Sequence, residues 1–117
     1  MTAIEAAWLS LVGRFNITLE KFAESVAGME VNPVVVNGQL AGALIVAGPE
    51  IHACILPQFK GHWLSRKELR IMNTVIQQHG YAQTSATTKE GEAFVKRLGF
   101  VKHENTFRRL QTWALKH

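Results

Sequence analysis

A single cysteine, and no apolar run approaching the ~20 residues needed to cross a bilayer as a helix, limit what this 117-residue chain can be. Cys54 cannot form an internal disulfide, and its setting, Ala53-Cys54-Ile55-Leu56, suits an inert buried thiol better than a reactive one. The first residues lack the basic start and small-residue cleavage pattern of a secretory signal. These absences exclude a disulfide-stapled scaffold and a helical membrane protein. They predict a soluble, cytoplasmic protein in a reducing compartment.

Acidic charge is scarce in the second half. Before Lys60, Arg14 and Lys21 stand against five glutamates, whereas from Lys60 onward eleven Lys or Arg stand against four, within an overall charge of +4. The second half therefore seeks anions. Hydrophobic residues make up 47% of the chain, enough for one core, so a single domain over residues 1–117 is expected. There is no repeat, low-complexity stretch or linker.

Apolar residues recur at helical spacing from Thr2 to about Gly28, at Ala6, Leu9 and Val12 and again at Leu19, Phe22 and Val26. This predicts two helices separated near Asn16, the second capped by Thr18 and closed by Gly28. From Pro33 the pattern becomes strand, turn, strand, turn, strand: Val34 to Val36, Asn37-Gly38, Leu40 to Ala47, Gly48-Pro49, Ile51 to Leu56. Asn-Gly is the strongest two-residue hairpin signal, because both turn positions need positive φ. After Pro57, Ser65-Arg66-Lys67-Glu68 forms an S-x-x-E box ahead of Leu69, Met72, Val75 and Ile76, and Gly80 ends that helix. A strand from Tyr81 to Thr87, a short helix stopped by Gly99, and a hairpin-like stretch from Phe100 to Trp113 and Leu115 complete an α+β domain.

Chemistry concentrates between Ile51 and Arg70, where a strand passes through Pro57 and the loop Gln58-Phe59-Lys60-Gly61-His62-Trp63 into the capped helix. Backbone N–H groups at a helix start lack intrahelical partners, and the macrodipole adds positive charge there. Gly61 lets the backbone approach a phosphate closely.

Leu56-Pro57-Gln58-Phe59-Lys60-Gly61-His62-Trp63-Leu64, followed by Glu92-Ala93-Phe94-Val95-Lys96-Arg97-Leu98-Gly99-Phe100, resembles the GNAT acyltransferase superfamily over roughly Val34 to Val101. The resemblance implies an α+β GNAT-like fold, a mixed and mostly antiparallel sheet flanked by helices, abbreviated at its N-terminus. It implies acetyl-CoA as cosubstrate and an amine as acceptor. Ile55, Leu56, Lys60, Gly61, His62, Trp63, Leu64, Ser65 and Thr88 would hold the coenzyme, its pyrophosphate on the loop and its pantetheine arm between two parallel strands, Ile51 to Leu56 and Tyr81 to Thr87. Two positions depart from the family. Trp63 replaces the loop's second glycine, and Val95 replaces the tyrosine that protonates the departing thiolate. More loosely, the chain resembles short GNAT-like proteins of tailed phages, some of them virion or assembly components. That likeness implies a noncatalytic alternative and a virion location.

Acyl transfer to an amine needs a neutral amine, a stabilised oxyanion and a protonated thiolate. Backbone N–H groups near Ile55 and Leu56 can meet the oxyanion if the strands splay. His52 is the first candidate base and Glu50 the second, with a hydrogen-bonded strand residue the plainer reading of His52. Tyr81 serves as an acid only if its ring points inward.

His52 and Cys54 share a strand face, but no second His/Cys pair has metal spacing, so no metal is expected. His62 enters only as a loop residue, and His79 and His103 receive no role. Trp8, Trp63 and Trp113 read as packing, with adenine stacking the other option for Trp63. Lys96, Arg97, Lys102, Arg108 and Arg109 read as a solvated face, or as contacts to a coenzyme 3′-phosphate; aromatic interleaving for single-stranded nucleic acid is absent. Exposed apolar edges, above all Thr106 to Leu115, invite pairing with a second copy or an assembly partner.

Overall fold

The computed structural model describes residues 1–86 and 88–111. Helix α1 (Ala3–Leu11) begins at a reciprocal capping box: Glu5 N donates to Thr2 Oγ1 and Thr2 N donates to Glu5 Oε1, both at 3.1 Å. The backbone bond to Thr2 holds the Glu5 carboxyl below its usual range. Thr18 caps α2 (Leu19–Ser25), its hydroxyl accepting from Lys21 N at 3.2 Å. The second helix stops at Val26 rather than Gly28, which lies in the following turn outside the left-handed region.

Three strands follow, β1 (Glu30–Val36), β2 (Gln39–Ala47) and β3 (Glu50–Ile55). Asn37 and Gly38, at φ 51° and 80°, make the tight β1–β2 turn. The antiparallel register slips between Val34, opposite Gly42, and Val35, opposite Leu40, leaving Ala41 as a bulge in β2. Its carbonyl accepts from Leu56 N at 2.8 Å, which ties the end of β3 to the bulge. Gly42, at φ 150°, passes so close to β3 that a Cβ there would collide with the Cys54 carbonyl oxygen. Pro33 sits in β1 at the sheet edge, where its missing N–H costs no ladder bond.

One turn of 3-10 helix (Pro57–Phe59) leads to α3 (Arg66–His79), closed by Gly80 at φ 83°, whose N–H donates to Ile76 O at 2.7 Å. Then come β4 (Tyr81–Thr84), α4 (Lys89–Arg97) with Thr88 as its cap, β5 (Val101–His103) and β6 (Thr106–Leu110). The predicted strand over Tyr81 to Thr87 ends at Thr84, and Thr87, Trp113 and Leu115 lie outside the described residues. The sheet order is β1-β2-β3-β4-β6-β5, parallel between β3 and β4 and antiparallel between β1 and β2, β4 and β6, and β6 and β5. Because β6 lies between β4 and β5, its described residues do not form the open edge expected of Thr106 to Leu115; β1 and β5 are the edges.

The chain divides into two units, Met1–Ala47 with His52–Leu69, and Gly48–Ile51 with residues 70–117. In the first, Ala7, Phe22 and Val26 of the helical segment pack with Ala43, Ile45 and Cys54 of the strands, and Trp8, Leu11 and Ile17 surround them. Trp8 satisfies its indole N–H on Ile17 O at 2.7 Å, fixing the turn between the helices. In the second, Ala82, Phe100 and Phe107 are buried while Tyr81, Gln83 and Arg108 keep part of their surface open. Arg109 is 9% exposed, so it is not part of the solvated basic face that the sequence suggested; burial lowers its pKa. No helix among the described residues is long and apolar enough to cross a membrane.

Candidate functional site

The passage from His52 to Leu69 lies within the first unit and carries most of the candidate residues. Proline at the first helical position starts the 3-10 turn, whose N–H deficit costs nothing there. The chain then folds tightly on itself: Phe59 N donates to Leu56 O at 3.0 Å, Lys60 N to Pro57 O at 3.3 Å, and His62 N to Phe59 O at 3.2 Å. These three amides are committed to the turn. Among the described residues, no hydrogen bond engages the amides of Gly61 and Leu64.

Gly61 is exposed at φ 92°, and a Cβ built on it would meet nothing within 4 Å. Space is therefore open where a side chain would stand at this position. Lys60 and His62 are exposed beside it, and the His62 ring is 3.3 Å from Gln58 O. The turn thus presents a backbone N–H, a lysine and an imidazole to solvent on three consecutive residues.

The start of α3 keeps one half of the expected S-x-x-E box, the bond from the Ser65 backbone to Glu68, and alters the other. Ser65 does not act as the accepting cap alone; its Oγ donates to Glu68 Oε1 at 2.7 Å, and its backbone N donates to the same oxygen at 2.9 Å. Glu68 is only 3% exposed and sets the protein's own carboxylate beside the helix N-terminus. Nearby, Lys67 reaches the β1 edge, its Nζ donating to Pro33 O at 2.9 Å.

Trp63 is 6% exposed, so its indole belongs to the packed interior and not to a surface stack on a base. Leu64 and Leu56 are half-buried, and Ile55 is buried. On the same strand His52 is half-buried. Cys54 is buried, and desolvation pushes its thiol up to about 11, against a smaller downward pull from Arg14. A thiol in that state is no nucleophile at neutral pH.

Glu50 and Thr88 belong to the second unit. Glu50 is exposed and pairs across the parallel β3–β4 register with Gln83, whose N–H donates to Pro49 O at 2.8 Å. Thr88 caps α4, its hydroxyl accepting from Gly91 N at 3.0 Å, with Glu90 and Glu92 in the helix's first turn. Those two carboxylates disfavour a phosphate at this helix start. Val95, half-buried in α4, offers only its carbonyl, which accepts from Phe100 N at 3.0 Å.

Sequence reasoning missed Gln83, and read Arg108 only as part of a solvated face or as a 3′-phosphate contact. Arg108 Nε donates to Gln83 Oε1 at 2.7 Å, and Gln83 Nε2 lies 3.5 Å from Glu50 Oε1. Alternation along β4 and β6 puts these residues on the open face, but their meeting requires a register that no local signal encodes. Among the described residues, no group of three or more His, Cys, Asp or Glu gathers as a metal site would require.

A solved structure of similar fold bears the description "GCN5-Related N-acetyltransferase: Aminotransferase, Class-II" and comes from Rhodopseudomonas palustris. It superposes at a TM-score of 0.63 with 19% identity, covering 91% of this chain and 74% of that one. No family model matches the sequence, and no curated protein does. At that identity the likeness concerns architecture: this chain has a GNAT-like α+β fold, a six-stranded mixed sheet with helices.

Proposed function

We propose that this GNAT-like domain is an acyl-CoA-dependent N-acyltransferase, using acetyl-CoA to acylate an amine. The observation that carries the reading is the strand–turn–helix passage within the first unit, where the Gly61 and Leu64 amides are unengaged and exposed Gly61, at positive φ, has open space at its Cβ position. Lys60 and His62 add exposed donors on the same turn. This is a donor set suited to a pyrophosphate.

The cosubstrate supplies an activated thioester carbonyl. The chain's part is to bind the diphosphate through the Lys60–Leu64 turn, and to offer the end of β3, Ile55 and Leu56, alongside the acyl arm. Leu56 N is already spent on Ala41 O, so an oxyanion contact falls to other strand amides. In the transfer, the acceptor nitrogen bonds to the carbonyl carbon, the carbon–sulfur bond breaks, and the ammonium proton passes to a base. His52 and Glu50 are the candidates for that base. Val95 has no proton to give, so the departing thiolate takes its proton from water or another group. This departure favours a second reading, a coenzyme-binding or assembly protein without turnover.

Heat denaturation with saturating acetyl-CoA tests the proposal, since a ligand selective for the folded state must raise the melting temperature. Gly61→Val places a side chain where the diphosphate would lie and should erase that shift, as should Lys60→Glu in part. Turnover on a panel of amines then separates the two readings. No shift with the unmodified protein would end the transferase reading and favour the assembly protein. A shift without acylated product would leave only the noncatalytic one.

A further inference from the structure

The face of the sheet that stays partly open in the second unit carries a polar row. Glu50 on β3 stands opposite Gln83 on β4, Gln83 opposite Arg108 on β6, and Arg108 opposite Val101 on β5. Directly opposed residues share a face, so the four lie in that order across the strands, with Val101 on the side of Arg108 away from Glu50.

Two side chains of β4 hold the head of Arg108. Its Nε donates to Gln83 Oε1 at 2.7 Å, and its guanidinium carbon lies 4.7 Å from the centre of the Tyr81 ring. Both partners belong to β4, so the side chain leans from β6 over that strand and not toward β5. Gln83 in turn has its Nε2 at 3.5 Å from Glu50 Oε1, which keeps its oxygen for the arginine. An arginine held at its Nε and laid over a ring cannot swing freely. Among the described residues, nothing engages its two Nη groups and no carboxylate pairs with it. The charge is unneutralised at contact, and the end-on edge of the guanidinium presents two N–H donors at the spacing of a carboxylate's oxygens.

The surroundings of this fork narrow what it takes. Leu110 is two residues beyond Arg108 on β6, hence on the same face about 7 Å along the strand, and it stands opposite Tyr81. It is 54% exposed. An exposed aliphatic group therefore adjoins the head of the arginine, while Val101 flanks its stem. On the far side of Gln83 stands the Glu50 carboxylate, which repels a second negative charge on any ligand held by the fork. One negative charge joined to an uncharged, apolar remainder suits the place. A cation, or a phosphate dianion, does not.

We propose that the Arg108 fork is a binding site for a small apolar monocarboxylate, its carboxylate bonded end-on to the two Nη groups and its hydrocarbon part against Leu110. Arg108 recognises the anion, and Gln83 and Tyr81 are positioning residues. The site goes beyond the transferase reading and does not depend on it.

The test is an NMR titration of the full chain without coenzyme, following backbone amides, with hexanoate, hexanamide, hexylamine, acetate and inorganic phosphate. Hexanoate should shift the amides of Tyr81, Gln83, Arg108 and Leu110 saturably and bind at least ~10-fold tighter than hexanamide, the worth of one charge-assisted contact. At these amides hexylamine and phosphate should do no better than hexanamide. Acetate, with no chain to lay on Leu110, should bind several-fold more weakly than hexanoate. Arg108→Lys keeps the charge but not the fork and should lose most of the preference for hexanoate over hexanamide; Arg108→Leu should lose all of it. Gln83→Leu releases the head and should reduce that preference by a smaller factor, leaving the advantage of hexanoate over acetate, which Leu110→Ser should remove instead. The spread of amide signals confirms that each variant folds. Hexanoate no tighter than hexanamide, an Arg108→Lys protein with undiminished preference, or phosphate tighter than hexanoate at these amides would overturn the proposal. Shifts confined to the Lys60–Leu64 turn would overturn it too, since they would assign the acid to the candidate coenzyme site.

Discussion

Strands β2 and β6 each have a neighbour on both sides, yet they are built on opposite plans. In β2 the six residues Ala41 to Val46 are all buried, whereas in β6 burial alternates, with Phe107 and Arg109 inside and Thr106, Arg108 and Leu110 partly or fully open. A strand covered on both faces can hold only apolar or glycine positions, so β2 contributes stability and little chemistry. A strand with one open face keeps alternate positions for polar groups, and in β6 that position is Arg108. Tolerance should therefore divide along the same line.

The hardest test of that division is Gly42→Ala in β2. Its added methyl meets the Cys54 carbonyl at a backbone angle that side chains rarely adopt, and strain plus overpacking should cost about 2–6 kcal/mol. Arg108→Leu in β6 should cost about 1 kcal/mol or less. Urea midpoints for the two variants check this, and similar losses would break the contrast.

Next in size is a pH effect confined to the first unit. Burial raises the Cys54 thiol from 9.0 to about 11, so between those values the folded state keeps a proton that the unfolded state gives up. Stability falls as pH rises across that window, by roughly 2–3 kcal/mol in all. Melting curves from pH 8 to pH 11.5 should show the fall in the unmodified chain and a shallower one in Cys54→Ala. Identical slopes would mean that the thiol is not where the core places it.

Smaller effects sharpen the comparison at the helices covering β2. Trp8→Phe removes the donor to Ile17 O and should cost about 1–3 kcal/mol by leaving a half-buried carbonyl unsatisfied. Thr18→Ala removes one cap from a seven-residue helix and should cost about 1 kcal/mol. If the cap variant proves the more damaging of the two, the helical pair is held by its ends and not by its packing on the strands.

What the sequence discloses follows the range of each interaction. Asn37-Gly38, Thr18, Gly80 and Gly99 act within a few residues, and each turn or boundary lies where its local chemistry puts it. The reciprocal box at Thr2 and Glu5 is equally local, a T-x-x-E pattern contained in four residues. Gly28 was a local signal overruled, because the α2 segment unwinds at Val26, which turns into the core. Long-range facts were not legible. The insertion of β6 between β4 and β5, the burial of Arg109, and the meeting of Glu50, Gln83 and Arg108 all depend on strand registers set by distant segments. Within the candidate site, the glycine turn was legible through Gly61 and the Glu68 bond to Ser65 through the S-x-x-E box, but the commitment of three of the turn's amides was not.

The Asn37-Gly38 turn has a consequence for how the chain finds its shape. Val36 and Gln39 are partners across only two intervening residues, so the β1–β2 hairpin can zip within ~1–10 μs of collapse without help from the rest of the polypeptide. Tyr81 must instead wait for Leu110 to diffuse back across a loop that includes α4 and β5. The first hairpin is thus the natural seed, and the strands that carry the polar row assemble late.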